Sequence, residues 1–258
     1  MLSVLSSPIM MRRVVQQLAL RPVPIQCFAS SASPLSLDRL SGLPLGVADA
    51  AVAVGRALSS AGVPYAVAGA VACNAHGHKR ATADVDVLIN SEDLSRVGLA
   101  LVGLGWKARF AGARRAMRDT LRGVDVDVLV SGEFPGDGKP KPVAFPRVAR
   151  IRRLTDETVV DSGLAATRNN QAPPFLVEEI PEDAGGVYVL PLVPLIEVKL
   201  ASGMTAPHRR KDFADVQALI TANDLPRVFV NELNAYVKTD FVRLWDEVDD
   251  ARKSGLPE

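Results

Sequence analysis

Two short stretches of the chain each carry a pair of aspartates separated by one residue. Asp84 and Asp86 lie in "RATADVDVLI", and Asp125 and Asp127 lie in "GVDVDVLV". Because side chains alternate across a strand, the carboxylates of each pair share one face while the valines point to the other. At about 5–7 Å such a pair repels by on the order of 2–3 kcal/mol before screening. A divalent cation such as Mg²⁺ offsets that repulsion; the alternative is a solvated edge face whose acids deter aggregation.

The elements that must position these aspartates alternate between helix and strand. Helices are predicted over 46–62, from Ala70, from a Ser91 cap to Gly105, and over 192–202, 212–222 and onward to about residue 253. Strands are predicted over 63–69 and 83–89, and on both sides of Gly123. This order predicts an α/β sheet with helices attached.

Composition divides the chain into segments. Residues 1–36 contain Arg12, Arg13 and Arg21 among Ser, Leu and Val, with no acid before Asp38. An Arg-rich, Ser-rich and acid-free stretch is typical of a transit peptide, and we expect import into the mitochondrion. The alternative is a disordered tail on a cytoplasmic protein. We expect one domain over 45–200, with a Pro- and Gly-rich insertion at about 132–186, and a helical segment over 201–258.

Overall composition limits the classes of partner. The chain carries 30 Lys and Arg against 29 Asp and Glu, so no global positive field attracts nucleic acid. Aromatic residues form 5% of the chain, too few for a surface that stacks single-stranded bases. No apolar run reaches about 18 residues, which predicts no membrane span. Cys27 and Cys73 form no metal-binding pattern.

The stretch "YAVAGAVACNAHGHKRATADVDVLI" resembles the signature of the nucleotidyltransferase fold. In that fold a strand ends in Gly-Gly or Gly-Ser, a short helix follows, and the next strand carries Asp-x-Asp. The variant "R-x-T-x-D-x-D" is similar to the AbiEii-type and minimal nucleotidyltransferase groups, and "LIEVKLASG…HRRKDFADVQALI" resembles their later helical segment. The resemblance implies an α/β (α+β) fold, with a small mixed sheet flanked by helices and a helical C-terminal part. The resemblance also implies that residues 45–200 form the catalytic domain.

The resemblance also implies roles for the acidic residues. Asp84 and Asp86 would hold the Mg²⁺ or Mn²⁺ ions that bridge a nucleoside triphosphate. Asp127 matches the third catalytic and metal-binding carboxylate, which helps to deprotonate the acceptor hydroxyl. Asp125 is the alternative for that third role. Two metals would then clamp the attacking and leaving oxygens of a displacement at the α-phosphorus.

Five further residues are expected to bind the nucleotide: Gly69, Ala70, Arg80, Thr82 and Lys199. Gly69 lets the backbone approach a phosphate, and the helix from Ala70 offers free N–H groups. Gly69-Ala70 departs from the family's Gly-Gly or Gly-Ser, which removes a serine hydroxyl. Arg80 and Thr82 flank the acids; Arg80 would pair either with phosphate oxygens or with Asp84.

Lys199 completes an apolar stripe on the predicted helix 192–202. Positions 192, 195, 196 and 199 share one face, which is otherwise Leu, Leu and Ile. Such a lysine either extends outward to solvent or meets a buried anion, supplied by the acidic strands or by a nucleotide phosphate. Asp212 and Asp215 open the next helix, where the helix dipole accounts for them.

Other polar residues carry weaker signals. His76 and His78 lack the further ligands of a zinc site, and we expect them in a loop at the pocket rim. Two groups of basic residues could bind phosphates or RNA, or could simply face solvent. They are Lys107, Arg109, Arg114, Arg115, Arg118 and Arg122 in the first group, and Arg209, Arg210 and Lys211 in the second.

Three functional hypotheses follow. The first is a metal-dependent nucleotidyltransferase that moves a nucleoside monophosphate from a nucleoside triphosphate to a hydroxyl of RNA, a protein or a small molecule. The second is a catalytically silent binding or regulatory protein of the same fold. The third is a glycosyltransferase that uses Asp84 and Asp86 on a nucleotide sugar, but too few residues precede Asp84 for its nucleotide-binding half.

Overall fold

The computed structural model describes residues 43–103, 105–149, 151–154, 157–160, 175–176, 178–179 and 187–254. These residues belong to one compact unit, Pro34–Glu258. The expected transit peptide at 1–36 and much of the insertion at 132–186 lie outside the described residues. The domain boundaries given above stay predictions. Among the described residues, no helix combines the length and apolarity that crossing a membrane requires.

The described strands form one mixed sheet and two small pairs. They are β1 (Tyr65–Val67), β2 (Asp84–Ile89), β3 (Trp106–Ala108), β4 (Ala116–Asp119), β5 (Val124–Val130), β6 (Val148–Ala149), β7 (Ile151–Leu154), β8 (Glu157–Val160), β9 (Phe175–Leu176), β10 (Glu178–Glu179) and β11 (Tyr188–Val189). The sheet has the order β10-β11-β1-β2-β5-β4-β3, and β6 pairs with β9 and β7 with β8. The central pair β2–β5 is parallel, whereas β1–β2 and β4–β5 are antiparallel.

Helices flank this sheet. They are α1 (Leu45–Ser60), α2 (Gly69–Ala75), α3 (Leu94–Leu101), α4 (Leu192–Gly203), α5 (Lys211–Ala222) and α6 (Lys238–Ser254). α1 contacts α3 and strands β1, β2 and β5, while α2 contacts β2 and α4. The predicted α/β (α+β) class, a mixed sheet flanked by helices with further helices at its C-terminal end, is confirmed.

Alternation along β2 and β5 explains how these strands enter the core. Val85 and Val87 on β2, and Val126 and Val128 on β5, are buried, while the aspartates between them retain contact with solvent. The valines contribute apolar area to the core, and their β-branched side chains favour the strand conformation. One face of the central strand pair therefore stabilises the fold and the other is left for the carboxylates.

The predicted Ser91 cap is wrong. A short 3₁₀ turn, Ser91–Asp93, precedes α3, and no side-chain cap is made at its start. Asn90, which precedes this turn, is buried, and its amide exchanges two hydrogen bonds of 2.9 Å with the backbone of Val148. Because that amide is bound to β6, it cannot cap the helix; instead it joins the end of β2 to the later strand. The helix also ends at Leu101, earlier than the expected Gly105.

Candidate active site

Four carboxylates lie on one face of the central strand pair. In the parallel register of β2 and β5, Asp84 lies opposite Asp125 and Asp86 opposite Asp127. Residues matched across parallel strands point to the same side of the sheet, with backbones about 4.8 Å apart. Asp84, Asp86 and Asp127 therefore share one face of two neighbouring strands, and their joint binding of a metal stays a prediction.

The electrostatic consequence is clearest at Asp86. The pKa of this carboxyl is raised from 3.8 to about 6, mainly by burial and also by the negative charges of Asp84 and Asp127. Lys199 and Lys211 oppose the shift without cancelling it. A carboxylate that is hard to ionise among other carboxylates is a position where an added cation is stabilising.

Gly69 accommodates the carboxylate of Asp86. The glycine has φ +58, in the left-handed region, and a Cβ built on it would overlap the Asp86 carboxylate, with Cγ at 2.9 Å. A side chain at Gly69 would thus be strained by its backbone and would collide with Asp86. Ala70, the second residue of α2, is buried. The predicted phosphate contacts of Gly69 and Ala70 stay predictions.

Thr82 and Arg80 have different partners. The Thr82 hydroxyl donates to Asp84 Oδ1 at 2.5 Å. The expected pairing of Arg80 with Asp84 is wrong, because its guanidinium donates to both oxygens of Asp215 on α5, at 2.8 and 3.1 Å. The Asn74 side-chain amide fixes the backbone at Arg80, because it hydrogen-bonds to both the backbone O and the backbone N of that residue. The loop is thereby held against α2, and the guanidinium reaches α5.

Lys199 is buried and meets an anion, but not on the acidic strands. Its ammonium donates to Asp212 Oδ1 at 3.1 Å and to Asp215 Oδ2 at 2.5 Å. The Ser202 hydroxyl donates to the other oxygen of Asp212 at 2.7 Å. Helix dipole alone is therefore the wrong account of Asp212 and Asp215, because both are buried and bind a lysine.

Burial and neighbouring charges shift the pKa values of Lys199 and Asp215 in this cluster. Burial opposes both ions, lowering the pKa of Lys199 and raising that of Asp215. The neighbouring groups together outweigh burial: Cys73, Asp215 and Asp212 raise the pKa of Lys199, and Lys199 and Arg80 lower that of Asp215. The pKa of Lys199 consequently stays above its ordinary value and that of Asp215 below its own. The cluster is a buried ion network that joins α4, α5 and the loop before β2.

The two histidines contact the later part of the chain, and their place at a pocket rim stays a prediction. His76 is buried, with its Nε2 at 2.8 Å from the backbone O of Leu190. His78 places its Nε2 at 3.2 Å from Asp215 Oδ1, which adds it to the buried ion network. Both positions are structural contacts between the loop after α2 and the later part of the chain.

Arg109 and Arg118 are site residues that sequence analysis left within a basic run. Arg118 Nη1 donates to Asp125 Oδ1 at 2.6 Å. Arg109 Nη1 donates to Asp127 Oδ1 at 3.0 Å, and its Nε lies 3.5 Å from Asp125 Oδ2. The sequence could have indicated Arg118 through the predicted hairpin around Gly123, because the register of that hairpin places Arg118 directly opposite Asp125.

The residues fit a divalent metal in donor type and in backbone register. Carboxylate oxygens are the ligands that Mg²⁺ prefers. Asp84 and Asp86 on β2 and Asp127 on β5 supply three carboxylates on one face of neighbouring strands. In the part of the chain that the structure describes, however, no three His, Cys, Asp or Glu side chains are gathered around one metal position. The carboxylate of Asp127 is bound by Arg109 and that of Asp84 by Thr82.

Comparisons with known proteins found similarity to solved structures. No family model matches the chain, and no curated protein matches it. The chain is similar to ANT(2")-Ia in complex with adenylyl-2"-tobramycin, with 10% identity and a TM-score of 0.42, covering 77% of this chain and 94% of that one. It is also similar to a STING-associated CdnE c-di-GMP synthase from Capnocytophaga granulosa, with 12% identity and a TM-score of 0.32, covering 87% and 84%. At these scores the function of this chain has to be argued from its own site.

Proposed function

We propose that this chain is a metal-dependent nucleotidyltransferase that moves a nucleoside monophosphate from a nucleoside triphosphate to a hydroxyl. The observation that carries the proposal is the register of β2 and β5, which sets Asp86 beside Asp127 on the face where Asp84 also lies. The raised pKa of Asp86 supports it, because burial and the charges of Asp84 and Asp127 disfavour the ionised carboxylate, which a bound cation would stabilise. The sequence resemblance to the AbiEii-type groups points to the same chemistry.

In this proposal Asp84, Asp86 and Asp127 hold Mg²⁺ or Mn²⁺. The metal, when bound, neutralises phosphate charge and stabilises the attacking and leaving oxygens. The bond that forms joins the acceptor oxygen to the α-phosphorus, and the bond that breaks joins this phosphorus to the bridging oxygen of pyrophosphate. Asp127 accepts the proton of the acceptor hydroxyl. Gly69 leaves the space that Asp86 needs, and Thr82 orients Asp84 by its hydrogen bond.

The contacts favour Asp127 over Asp125 as the third carboxylate. Asp125 lies near two guanidinium groups, those of Arg118 and Arg109, so its charge is already compensated. Asp127 forms an ion pair with Arg109 alone among the described residues. The negative charge of Asp127 is one of those that raise the pKa of Asp86. We therefore assign Asp125 to holding the hairpin of β4 and β5.

Lys199 and Arg80 act in this proposal as positioning residues for the nucleotide site. Their charges are bound to Asp212 and Asp215, and the network holds α4, α5 and the loop that leads into β2. Direct contact of either side chain with a phosphate stays a prediction. Lys199 still contributes positive potential at Asp86, where it opposes the rise in pKa.

The test is transfer of label from α-³²P-labelled ATP, GTP, CTP and UTP in Mg²⁺ or Mn²⁺. Total RNA, the protein itself and small hydroxyl compounds serve as acceptors in separate reactions. We expect Asp84→Ala and Asp127→Ala to abolish incorporation, and the matched variant Asp125→Asn to retain most of it. Equal incorporation by wild type and Asp127→Ala would overturn the assignment.

A catalytically silent binding protein is the second candidate, and two observations favour it. The β5 carboxylates are already paired with arginines, and Gly69 is followed by Ala70 in place of glycine or serine. This candidate predicts nucleotide binding with no incorporation in any acceptor reaction. Failure of all four labelled nucleotides with all acceptors, in a protein that binds them, would select it.

We also propose that residues 1–36 direct the chain to mitochondria, on the basis of their arginines and lack of acids. A fusion of residues 1–36 to a fluorescent protein tests this directly. Mitochondrial fluorescence is expected, and diffuse cytoplasmic fluorescence would contradict the proposal. Substitution of Arg12, Arg13 and Arg21 by Gln in the same fusion is the matched control and is expected to abolish import.

A further inference from the structure

One guanidinium connects the two carboxylates of β5. Arg109 Nη1 lies 3.0 Å from Asp127 Oδ1, and its Nε lies 3.5 Å from Asp125 Oδ2. Among the described residues, Arg109 is the basic side chain in ion-pair contact with Asp127. A fixed positive charge thus lies at the carboxylate that the proposed reaction needs for a metal.

The fold explains how Arg109 reaches Asp127 across an intervening strand. The backbone N of Arg109 donates to the backbone O of Ala116 at 2.9 Å, just beyond the end of β3. Ala116 in turn lies directly opposite Asp127 in the register of β4 and β5. The three residues therefore form a row across the strands, and the methyl group of Ala116 is small enough for the long side chain to extend over it.

The exposure of the pair makes it exchangeable. The side chain of Arg109 is 37% exposed and that of Asp127 is 40% exposed, so water screens their attraction. Exposed ion pairs contribute little net stability, whereas a divalent cation carries twice the charge and takes several oxygen ligands. A metal can therefore replace the guanidinium without a large loss to the fold.

We propose that Arg109 is a built-in counter-ion of Asp127, which the metal must displace before the three carboxylates can bind it together. This inference rests on the proposed function, because it takes Asp127 as a metal ligand. It accounts for the lack of a gathered group of three ligands among the described residues. It also makes Arg109 a positioning residue that sets the metal affinity of the site.

The test is the dissociation constant of Mn²⁺, measured by calorimetry and by the electron paramagnetic resonance of free Mn²⁺, without nucleotide. Arg109→Gln is expected to bind Mn²⁺ about five-fold more tightly than wild type, the equivalent of about 1 kcal/mol. Arg109→Lys is expected to lie between the two, because an ammonium cannot bridge two carboxylates as a guanidinium does.

Arg118→Gln is the matched control. It removes the same charge from the same sheet face, but Arg118 pairs with Asp125 and not with Asp127. We expect its Mn²⁺ affinity to stay within two-fold of wild type, and circular dichroism confirms folding of each variant. An equal gain in Arg109→Gln and Arg118→Gln would reduce the effect to net charge and overturn the inference.

The remaining outcomes separate this inference from the proposed function. If wild type binds Mn²⁺ and Arg109→Gln binds it equally or more weakly, the counter-ion role is wrong while the metal site stands. If neither protein takes up Mn²⁺ at millimolar concentration, the metal site and the counter-ion role are both wrong. Loss of Mn²⁺ uptake in Asp127→Asn, with the gain in Arg109→Gln, supports both.

Discussion

Asp86 is the residue at which burial and neighbouring negative charges together raise a carboxyl pKa. Its folded pKa of about 6 lies above the ordinary value of 3.8, so the folded protein holds this proton more tightly than the unfolded chain does. The contribution of Asp86 to stability is therefore most favourable at low pH and is lost as the pH rises from about 4 through about 6. Without metal, the carboxylate weakens the fold at neutral pH.

Asp86→Asn should therefore stabilise the metal-free protein at pH 7.5. The gain is up to about 3 kcal/mol, since each pKa unit corresponds to about 1.4 kcal/mol. Near pH 4.5 most of this advantage should be gone, because wild-type Asp86 is then protonated. Melting curves in EDTA at both pH values measure the difference, and an equal advantage at both would contradict the electrostatic account. Asp249→Asn, which alters an exposed ion pair with Lys253, is the control.

Gly69→Ala should damage the same site by a steric route. The new Cβ collides with Asp86 and is attached to a backbone with φ +58, so we expect a loss of about 1–3 kcal/mol in the free energy of unfolding. Mn²⁺ binding should weaken as well, because the Asp86 carboxylate has to move. Gly98→Ala on α3 is the control.

The control glycine lies in open space within a helix, with nothing within 4 Å of a built Cβ. There alanine should be neutral or stabilising by up to about 1 kcal/mol. Denaturant unfolding of both variants measures the contrast. A Gly69→Ala protein as stable as wild type would show that the close approach to Asp86 is not needed.

At the scale of elements, the buried ion network joins α4 to α5 and to the loop before β2. Lys199 on α4 meets Asp212 and Asp215 on α5, and Arg80 brings the loop before β2 to Asp215. Buried ion pairs add little net stability compared with apolar packing, but removing one partner leaves an uncompensated charge. The network therefore specifies one arrangement of these elements beside the acidic face.

Lys199→Met should leave two buried carboxylates without their ammonium partner. The expected loss is about 3–5 kcal/mol, which for a chain of this size lowers the melting temperature by about 6–20 °C. Thermal unfolding at pH 7 measures it. Lys253→Ala on α6 is the matched control, because it removes a lysine from an exposed pair and should change stability by less than about 0.5 kcal/mol. Similar losses in both variants would argue against the network.

At the scale of the whole molecule, metal and nucleotide should stabilise the fold together. A ligand at 100 times its dissociation constant adds about 2.7 kcal/mol to the free energy of unfolding, or about 5–10 °C in melting temperature. We expect this rise with Mn²⁺ and a nucleoside triphosphate, and its near absence in Asp84→Asn. An equal rise in wild type and Asp84→Asn would place the ligand elsewhere on the protein.

The sequence by itself determined the elements and the faces of the central strands. The Ala- and Val-rich α1, the strands β2 and β5, and the helices α4 and α5 were all predicted, because hydrophobic periodicity and turn residues act over a few positions. Alternation likewise predicted that Asp84 and Asp86 share a face. That two such strands carry their carboxylates side by side was an expectation, which the parallel register of β2 and β5 then met.

Only the tertiary structure decided which charges meet. Arg80 pairs with Asp215, 135 residues away, and not with its near neighbour Asp84. Lys199 meets the carboxylates of the next helix, and Arg109 reaches Asp127 over an alanine on the strand between them. The physical reason is that ion pairing depends on the distances and orientations left after helices and strands have packed. A local pattern of residue types sets which face a side chain occupies, but the packing of distant segments sets which partner lies opposite.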